Sequence, residues 1–196
     1  SWNRTAGYDG FGAYDFDGHE DYIRISDNGD MELDIDGELS VSAWYKLREF
    51  GDTGTSGDTK GIVVKRNENN YYANYQLKID GNDNKTSFSW GNGTANSMVE
   101  TPDPLELNKW HHVVGIYNGT HNLIYVNGEL ENTTEALEGG PYQDNGDVFI
   151  GCWGYTDTPY EYTFNGLIDE VRLYNRSLSQ EEIQLIYHNR TNETHS

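Results

Sequence analysis

The stretch Phe164-Asn165-Gly166-Leu167-Ile168-Asp169-Glu170-Val171-Arg172-Leu173-Tyr174-Asn175-Arg176-Ser177-Leu178-Ser179 decides how the chain is read. Its middle alternates with the period of a β-strand. Leu167, Asp169, Val171 and Leu173 fall on one side, and Ile168, Glu170, Arg172 and Tyr174 on the other. Apolar residues occupy both sides, which predicts a strand buried on both faces, deep in a two-layer sheet protein. Asp169 shares its side with Leu167, Val171 and Leu173. A carboxylate placed there needs hydrogen-bond donors or a metal.

Upstream, short apolar stretches alternate with turns rich in Gly, Asn and Asp, the pattern of an all-β sandwich. Strands are predicted at 13–17, 22–25, 39–47, 62–65, 75–79, 86–90, 96–100, 110–117, 123–126 and 148–150. In 39–47, Leu39, Val41, Ala43, Tyr45 and Leu47 make one face and Trp44 lies on the other. Trp44, Trp90 and Trp110 all sit in strand-like runs and read as core. Asn127-Gly128 fits a tight hairpin turn. Residues 129–146 read mostly as loop, and 152–163 as a long aromatic loop. Downstream, Ser179 and Glu182 have the spacing of a capping box, and Leu178 and Ile183 that of a hydrophobic staple. Ile183, Ile186 and Tyr187 continue an apolar stripe, so a short C-terminal helix is predicted. One domain over residues 1–188 is expected, with 189–196 a polar tail or linker.

A chain of 196 residues is long enough for one sizeable core, and 15 Tyr, 5 Trp and 6 Phe argue against disorder. The formal charge is −20, from 33 acidic and 13 basic residues. Such a surface repels nucleic acid and anionic membrane and attracts divalent cations. It also favours a monomer. The single Cys152 excludes an intramolecular disulfide and a Cys-based zinc site. Sequons begin at Asn3, Asn84, Asn92, Asn118, Asn132, Asn175, Asn189 and Asn192. Asn84, Asn92, Asn118 and Asn132 are taken as candidate glycosylation sites. The sequons point to an extracellular or cell-surface setting, within a larger secreted or surface protein, on an archaeal or salt-adapted cell for instance. No signal peptide or membrane-length apolar run stands out.

Several blocks resemble the laminin-G-like domains of the concanavalin A-like lectin/glucanase superfamily. Tyr14-Asp-Phe-Asp-Gly-His-Glu-Asp-Tyr-Ile looks like the opening block, and Leu39-Ser-Val-Ser-Ala-Trp44 like the strand that follows. Lys109-Trp-His-His-Val-Val114 and Ile124-Tyr-Val-Asn-Gly128 look like the next pair. Phe149-Ile-Gly151 and the closing phrase complete the set, so the resemblance spans residues 6–188. It implies an all-β, concanavalin A-like jelly-roll sandwich of two antiparallel sheets with a short C-terminal helix. It implies a binding module rather than an enzyme. It also implies a structural calcium beside the opening and closing strands, with Asp17 and Asp169 as carboxylate ligands and Gly18 supplying a carbonyl; Asp21 is a weaker addition. The plainer reading is that these aspartates cap turns.

Other constellations have bland readings beside the sharp ones. His111 and His112 are adjacent on a strand, so they face opposite ways and read as structural. Glu32-Leu-Asp-Ile-Asp36 would put three carboxylates on one face of a strand, as in laminarinase-type glycosidases, but Asp36 stands where such a motif needs its second Glu. Asp27–Asp30 reads as a turn and 52–58 as a flexible loop. Trp153, Tyr155 and Tyr160, with Tyr162 nearby, form a candidate ligand platform, because sugar recognition uses an aromatic plane beside polar groups. The alternative is loop packing over the sheet rim. The function expected is a non-catalytic extracellular module that binds a glycan or a cell-surface protein, with calcium as a structural ion. A spacer or stalk domain is the alternative, and a glycosidase a further one.

Overall fold

The computed structural model describes residues 1–27, 33–51, 58–66, 74–143, 146–154 and 162–192. The chain forms strands β1 (Trp2–Asn3), β2 (Ala13–Asp17), β3 (Ile23–Ile25), β4 (Leu39–Leu47), β5 (Lys60–Lys65), β6 (Tyr75–Ile79), β7 (Thr86–Gly91), β8 (Asn96–Glu100), β9 (His111–Tyr117), β10 (His121–Val126), β11 (Glu129–Glu135), β12 (Val148–Ile150) and β13 (Asn165–Tyr174), then helix α1 (Gln180–Asn192). A seven-stranded sheet runs β1-β2-β13-β4-β9-β10-β11 and a six-stranded sheet β3-β12-β5-β6-β7-β8. The pairings are antiparallel, as in a jelly-roll sandwich. β2 and β3 flank one turn but lie in different sheets, so the chain crosses the sandwich there.

The inward faces meet in one apolar core. It includes Phe16, Val41, Tyr45, Leu77, Phe88, Trp90, Val113, Ile124, Phe164 and Ile168. Gly115 is required by this contact: a Cβ there would fall 2.3 Å from the Phe88 ring. A second cluster lies outside the seven-stranded sheet, where Val114, Ile116 and Tyr125 meet Leu178 and Ile183 of the α1 region. The helix start is built as predicted. Ser179 N–H donates to Glu182 Oε2 at 2.9 Å, and Glu182 N–H returns to Ser179 Oγ at 3.3 Å. The helix continues to Asn192, so four residues read as polar tail are helical.

The closing strand departs from simple alternation. Asp169 pairs with Trp44 and Arg172 with Ser42, so β13 carries one extra residue there. Glu170 has φ 49°, a left-handed conformation usually given to glycine in such a bulge. The bulge flips the pattern. Ile168, Val171 and Leu173 face the core, while Asp169, Arg172 and Tyr174 share the outer face with Ser40, Ser42 and Trp44. Asp169 therefore does not share a side with Val171 and Leu173.

Residues 129–135, read as loop, form strand β11. Asn127 (φ 51°) and Gly128 (φ 87°) make the tight turn into it. Its sequence, Glu-Leu-Glu-Asn-Thr-Thr-Glu, is polar because it is an exposed sheet edge, and charge there discourages further strand addition.

Candidate functional site

The two sheets differ in what lies on their outer faces. On the seven-stranded sheet, Trp44 is buried in an aromatic stack, with ring centroids 3.5 Å from Tyr8, 5.5 Å from Tyr187 of α1 and 5.1 Å from His112. His112 Nε2 is 2.9 Å from Ser42 Oγ. Burial, with Arg172 nearby, pushes its pKa down to about 4, so it is neutral at ordinary pH. His111 points the other way, toward Tyr45, with Nε2 2.9 Å from the Glu106 carbonyl. The pair is structural, as their adjacency implied.

The six-stranded sheet carries a polar depression of about 180 Å³ on its outer face, lined by Gln76, Lys78, Ser89, Asn96, Met98, Thr59, Asp80, Asn82 and Trp153. The strand period places Gln76 and Lys78 of β6 outward while Tyr75, Leu77 and Ile79 enter the core. β7 does the same with Ser89 against Phe88 and Trp90. Trp153, half-buried after β12, lies over these strands. Its Nε1–H donates to Gln76 Oε1, its backbone N–H to the Tyr162 carbonyl at 3.1 Å. Gly61 lets this segment approach, since a Cβ there would fall 2.0 Å from the Cys152 carbonyl oxygen. The Arg66 guanidinium stacks 4.2 Å from the Trp153 ring centroid and Lys78 Nζ lies at 5.6 Å.

The β6–β7 turn completes the rim. Lys78 Nζ donates to Asp80 Oδ2 at 3.0 Å, and Asp80 Oδ1 accepts from Asn82 N at 3.0 Å and Asn82 Nδ2 at 2.7 Å. Burial raises the Asp80 pKa, but Lys78 and these Asn82 bonds outweigh it and hold the carboxyl below its usual range. The result is a fixed indole beside hydroxyl, amide, ammonium and carboxylate groups. That set can cover the apolar face of a small ring and exchange hydrogen bonds with its hydroxyls. Cys152, next to Trp153, is buried, and burial pushes its thiol up to about 12, which leaves no thiolate nucleophile at neutral pH.

Of the predicted platform, Trp153 is in this depression; Tyr155 and Tyr160 lie outside the described residues. Gln76, Lys78, Asp80 and Asn82 were not singled out in the sequence. Their signal was present in the polar alternation of β6 and the Asp80-Gly81 turn.

The structure does not bring Asp17 and Asp169 together. Asp17 pairs with Asn165, and Asp169 lies four residues further along β13, roughly 13 Å at the rise of a strand. Asp169 accepts backbone N–H groups from Glu170 at 2.9 Å and Tyr8 at 3.3 Å. Burial raises its pKa, as do the nearby Asp9 and Glu170 charges, while those N–H bonds oppose the shift. Asp17 Oδ1 accepts His19 N at 2.8 Å, an Asx turn, and the Gly18 carbonyl accepts the Thr163 hydroxyl. Asp17, Gly18, His19, Glu20, Asp21 and Thr163 line an open depression of about 600 Å³. Calcium takes six to eight oxygens; among the described residues no three His, Cys, Asp or Glu side chains group to hold a metal.

The segment 32–36, weighed against a glycosidase strand, is not a strand where it is described: residues 33–38 lie outside any strand. Asp34 is buried against Lys65 Nζ at 2.9 Å, which also holds Asp27 at 2.8 Å. That Lys gives Asp34 an ion-pair partner. Glu32, residues 28–30 and residues 52–57 lie outside the described residues. No helix among the described residues is long and apolar enough to cross a membrane.

Solved structures with this fold include a Bacteroides ovatus protein ascribed carbohydrate binding, at 22% identity and TM-score 0.63, covering 88% of this chain and 45% of that one. The chain thus spans less than half the length of that protein. The CBM40 of a Ruminococcus gnavus IT-sialidase matches at 16% identity and TM-score 0.70, over 89% of this chain and 96% of that one. Domain 4 of a GH43 extracellular arabinanase from Geobacillus stearothermophilus matches at 19% identity and TM-score 0.65, over 94% and 80%. At these identities the likeness establishes the fold alone. No curated protein matches the chain. The family model Laminin_G_3 matches residues 17–184. That span runs from the last residue of β2 through the core strands to the start of α1, and the chain belongs to this family of the concanavalin A-like lectin/glucanases superfamily.

Proposed function

We propose that the chain is a non-catalytic carbohydrate-binding module whose ligand lies on the outer face of the six-stranded sheet, against Trp153. The carrying observation is the indole held by Gln76 and Arg66 beside Lys78, Asp80 and Asn82, on a sheet face that α1 does not cover. Two structural neighbours support the sugar reading by what they hold: the Ruminococcus gnavus CBM40 was solved with alpha2,3 sialyllactose, and the arabinanase domain with arabinotriose. The module acts at the cell surface or outside the cell, as part of a larger protein. Calcium enters the reading only at the β2–β3 turn, with Asp17 and Gly18 as protein ligands and water completing the shell; Asp169 is too far along β13 to share it.

A glycan array tests this, run on the wild type and Trp153→Ala, with calcium and with chelator. Selective binding by the wild type, weakened at least about tenfold by Trp153→Ala, is expected, since anchor residues at recognition sites exceed about 1.4 kcal/mol. Binding unchanged in Trp153→Ala would move the site elsewhere, and no binding in any buffer would favour a protein partner or a spacer role. For calcium, added ion should raise the Tm of the wild type and not of Asp17→Ala; equal responses would remove the ion from this turn.

A further inference from the structure

The fold sorts the sequons by what each asparagine amide is already doing. Asn84 is buried at φ 61°, and its Nδ2 donates to the Gly51 carbonyl at 3.2 Å. Asn132 Nδ2 donates to the Glu100 carbonyl at 2.9 Å, tying β11 to β8. Asn92 Nδ2 donates to the Glu138 carbonyl at 3.2 Å. Asn3 is a separate case: its Oδ1 accepts Thr5 N at 3.3 Å and its Nδ2 makes no hydrogen bond among the described residues, but its backbone is held in a ladder strand opposite Ala13 rather than in a turn.

Asn118 is different. It sits half-buried in the turn between β9 and β10, and its Oδ1 accepts Thr120 N at 3.2 Å, Thr120 Oγ1 at 3.2 Å and His121 N at 2.8 Å, the pattern that Asn92 Oδ1 also makes with Thr94 and Ala95, so the two differ at Nδ2. The sequon hydroxyl is thus docked on the amide oxygen, and Nδ2 makes no hydrogen bond among the described residues. Asn175, just after β13, is exposed, and its amide likewise makes no hydrogen bond among the described residues. The register puts these two side by side. Tyr117 pairs with Leu39 and Tyr174 with Ser40, so Asn118 and Asn175 flank the start of β4. The Asp80 turn lies at the other end, where Thr86 meets the Tyr45 hydroxyl.

We propose that Asn118 and Asn175 are N-linked glycan attachment sites of the folded domain, both at the sandwich end remote from the Asp80 turn, and that Asn84 stays unmodified. Attachment forms a bond between Nδ2 and the anomeric carbon of an oligosaccharide carried on a lipid-linked phosphate donor. The anomeric C–O bond to phosphate breaks, the lipid phosphate leaves, and the amide gives up one proton to the transferase. Glycans placed there add solvated bulk at one end and leave the Trp153 face bare. The proposal stands whether or not that face binds sugar.

The test is glycopeptide mass spectrometry on the full chain secreted by an N-glycosylating host. Glycan is expected on the peptides holding Asn118 and Asn175, and none on the Asn84 peptide of the folded fraction. Asn118→Gln and Thr120→Ala should each remove one glycan from the intact mass, while Thr120→Ser, which preserves the sequon and the hydroxyl, should keep it. An unmodified Asn118 or Asn175 peptide, or a glycosylated Asn84 in folded protein, would overturn the assignment.

Discussion

The outer faces of the two sheets use their aromatics in opposite ways. Trp44 on the seven-stranded sheet is sealed between Tyr8, Tyr187 and His112 under α1. Trp153 on the six-stranded sheet stays half-exposed, its indole fixed from the side by Gln76 and Arg66. The first arrangement stabilises the fold by removing apolar surface from water. The second leaves apolar surface in water and holds it rigid, which lowers the cost of ordering on binding. A covered tryptophan should therefore govern stability and an uncovered one recognition.

The comparison breaks most easily at Trp44. Trp44→Ala should cost about 3–5 kcal/mol, the range for a fully buried large aromatic, read as a lower urea midpoint. Trp44→Phe should cost less. It keeps most of the ring contact and deletes an indole N–H that is buried without a partner among the described residues. A milder effect from Ala than from Phe would show that the stack does not bear on stability.

His112, in the same stack, gives a pH test. Its folded pKa of about 4 lies below the ordinary 6.5, with burial the main cause. Between those values the unfolded chain binds a proton that the folded chain refuses. The neutral imidazole's contribution is full above about pH 6.5 and falls as pH drops toward 4, with no further loss below. The shift corresponds to stability on the order of 3 kcal/mol. His112→Gln should flatten the difference in unfolding free energy between pH 7 and 4.5; an unchanged slope would assign that pH dependence to other groups, the carboxylates and the remaining histidines. At the open face, Trp153→Ala should weaken glycan binding about tenfold or more while moving the urea midpoint much less than Trp44→Ala does.

Much of this contrast was legible in the chain. The alternation of Leu39 to Leu47 put Trp44 on the face opposite Val41 and Tyr45, although its strand-like run reads as core, and two adjacent histidines on a strand had to face opposite ways. The helix was announced by Ser179 and Glu182. What escaped depends on register rather than on residue type. Glu170 carries no mark of the left-handed bulge that reverses β13, because that conformation is ordinarily signalled by glycine. Asp17 and Asp169 sit on neighbouring strands, as the resemblance implied, but nothing local to either residue gives the four-residue offset between them. The polar face needed β6, β7 and β8 aligned before Gln76, Lys78, Ser89 and Asn96 could be seen as one surface with Trp153. β11 escaped because an exposed edge is written in the residues of a loop.

The smallest expected effect also separates the two faces most cleanly. Ser179 Oγ accepts the Glu182 N–H, and Glu182 answers to the Ser179 N–H while also holding Arg176 at 2.6 Å. Ser179→Ala removes one side of that box and should cost about 1 kcal/mol. The loss falls on α1, hence on the cover over Val114, Ile116 and Tyr125. Hydrogen exchange should quicken first in α1 and then in the β9–β10 amides beneath it, because loosening a cover lowers local opening free energies. The amides of β6 and β7, on the far sheet, should keep their rates, and affinity at Trp153 should hold. If exchange quickened equally in both sheets, the sandwich would open as one unit, and the division between a stabilising face and a recognising face would lose its energetic basis.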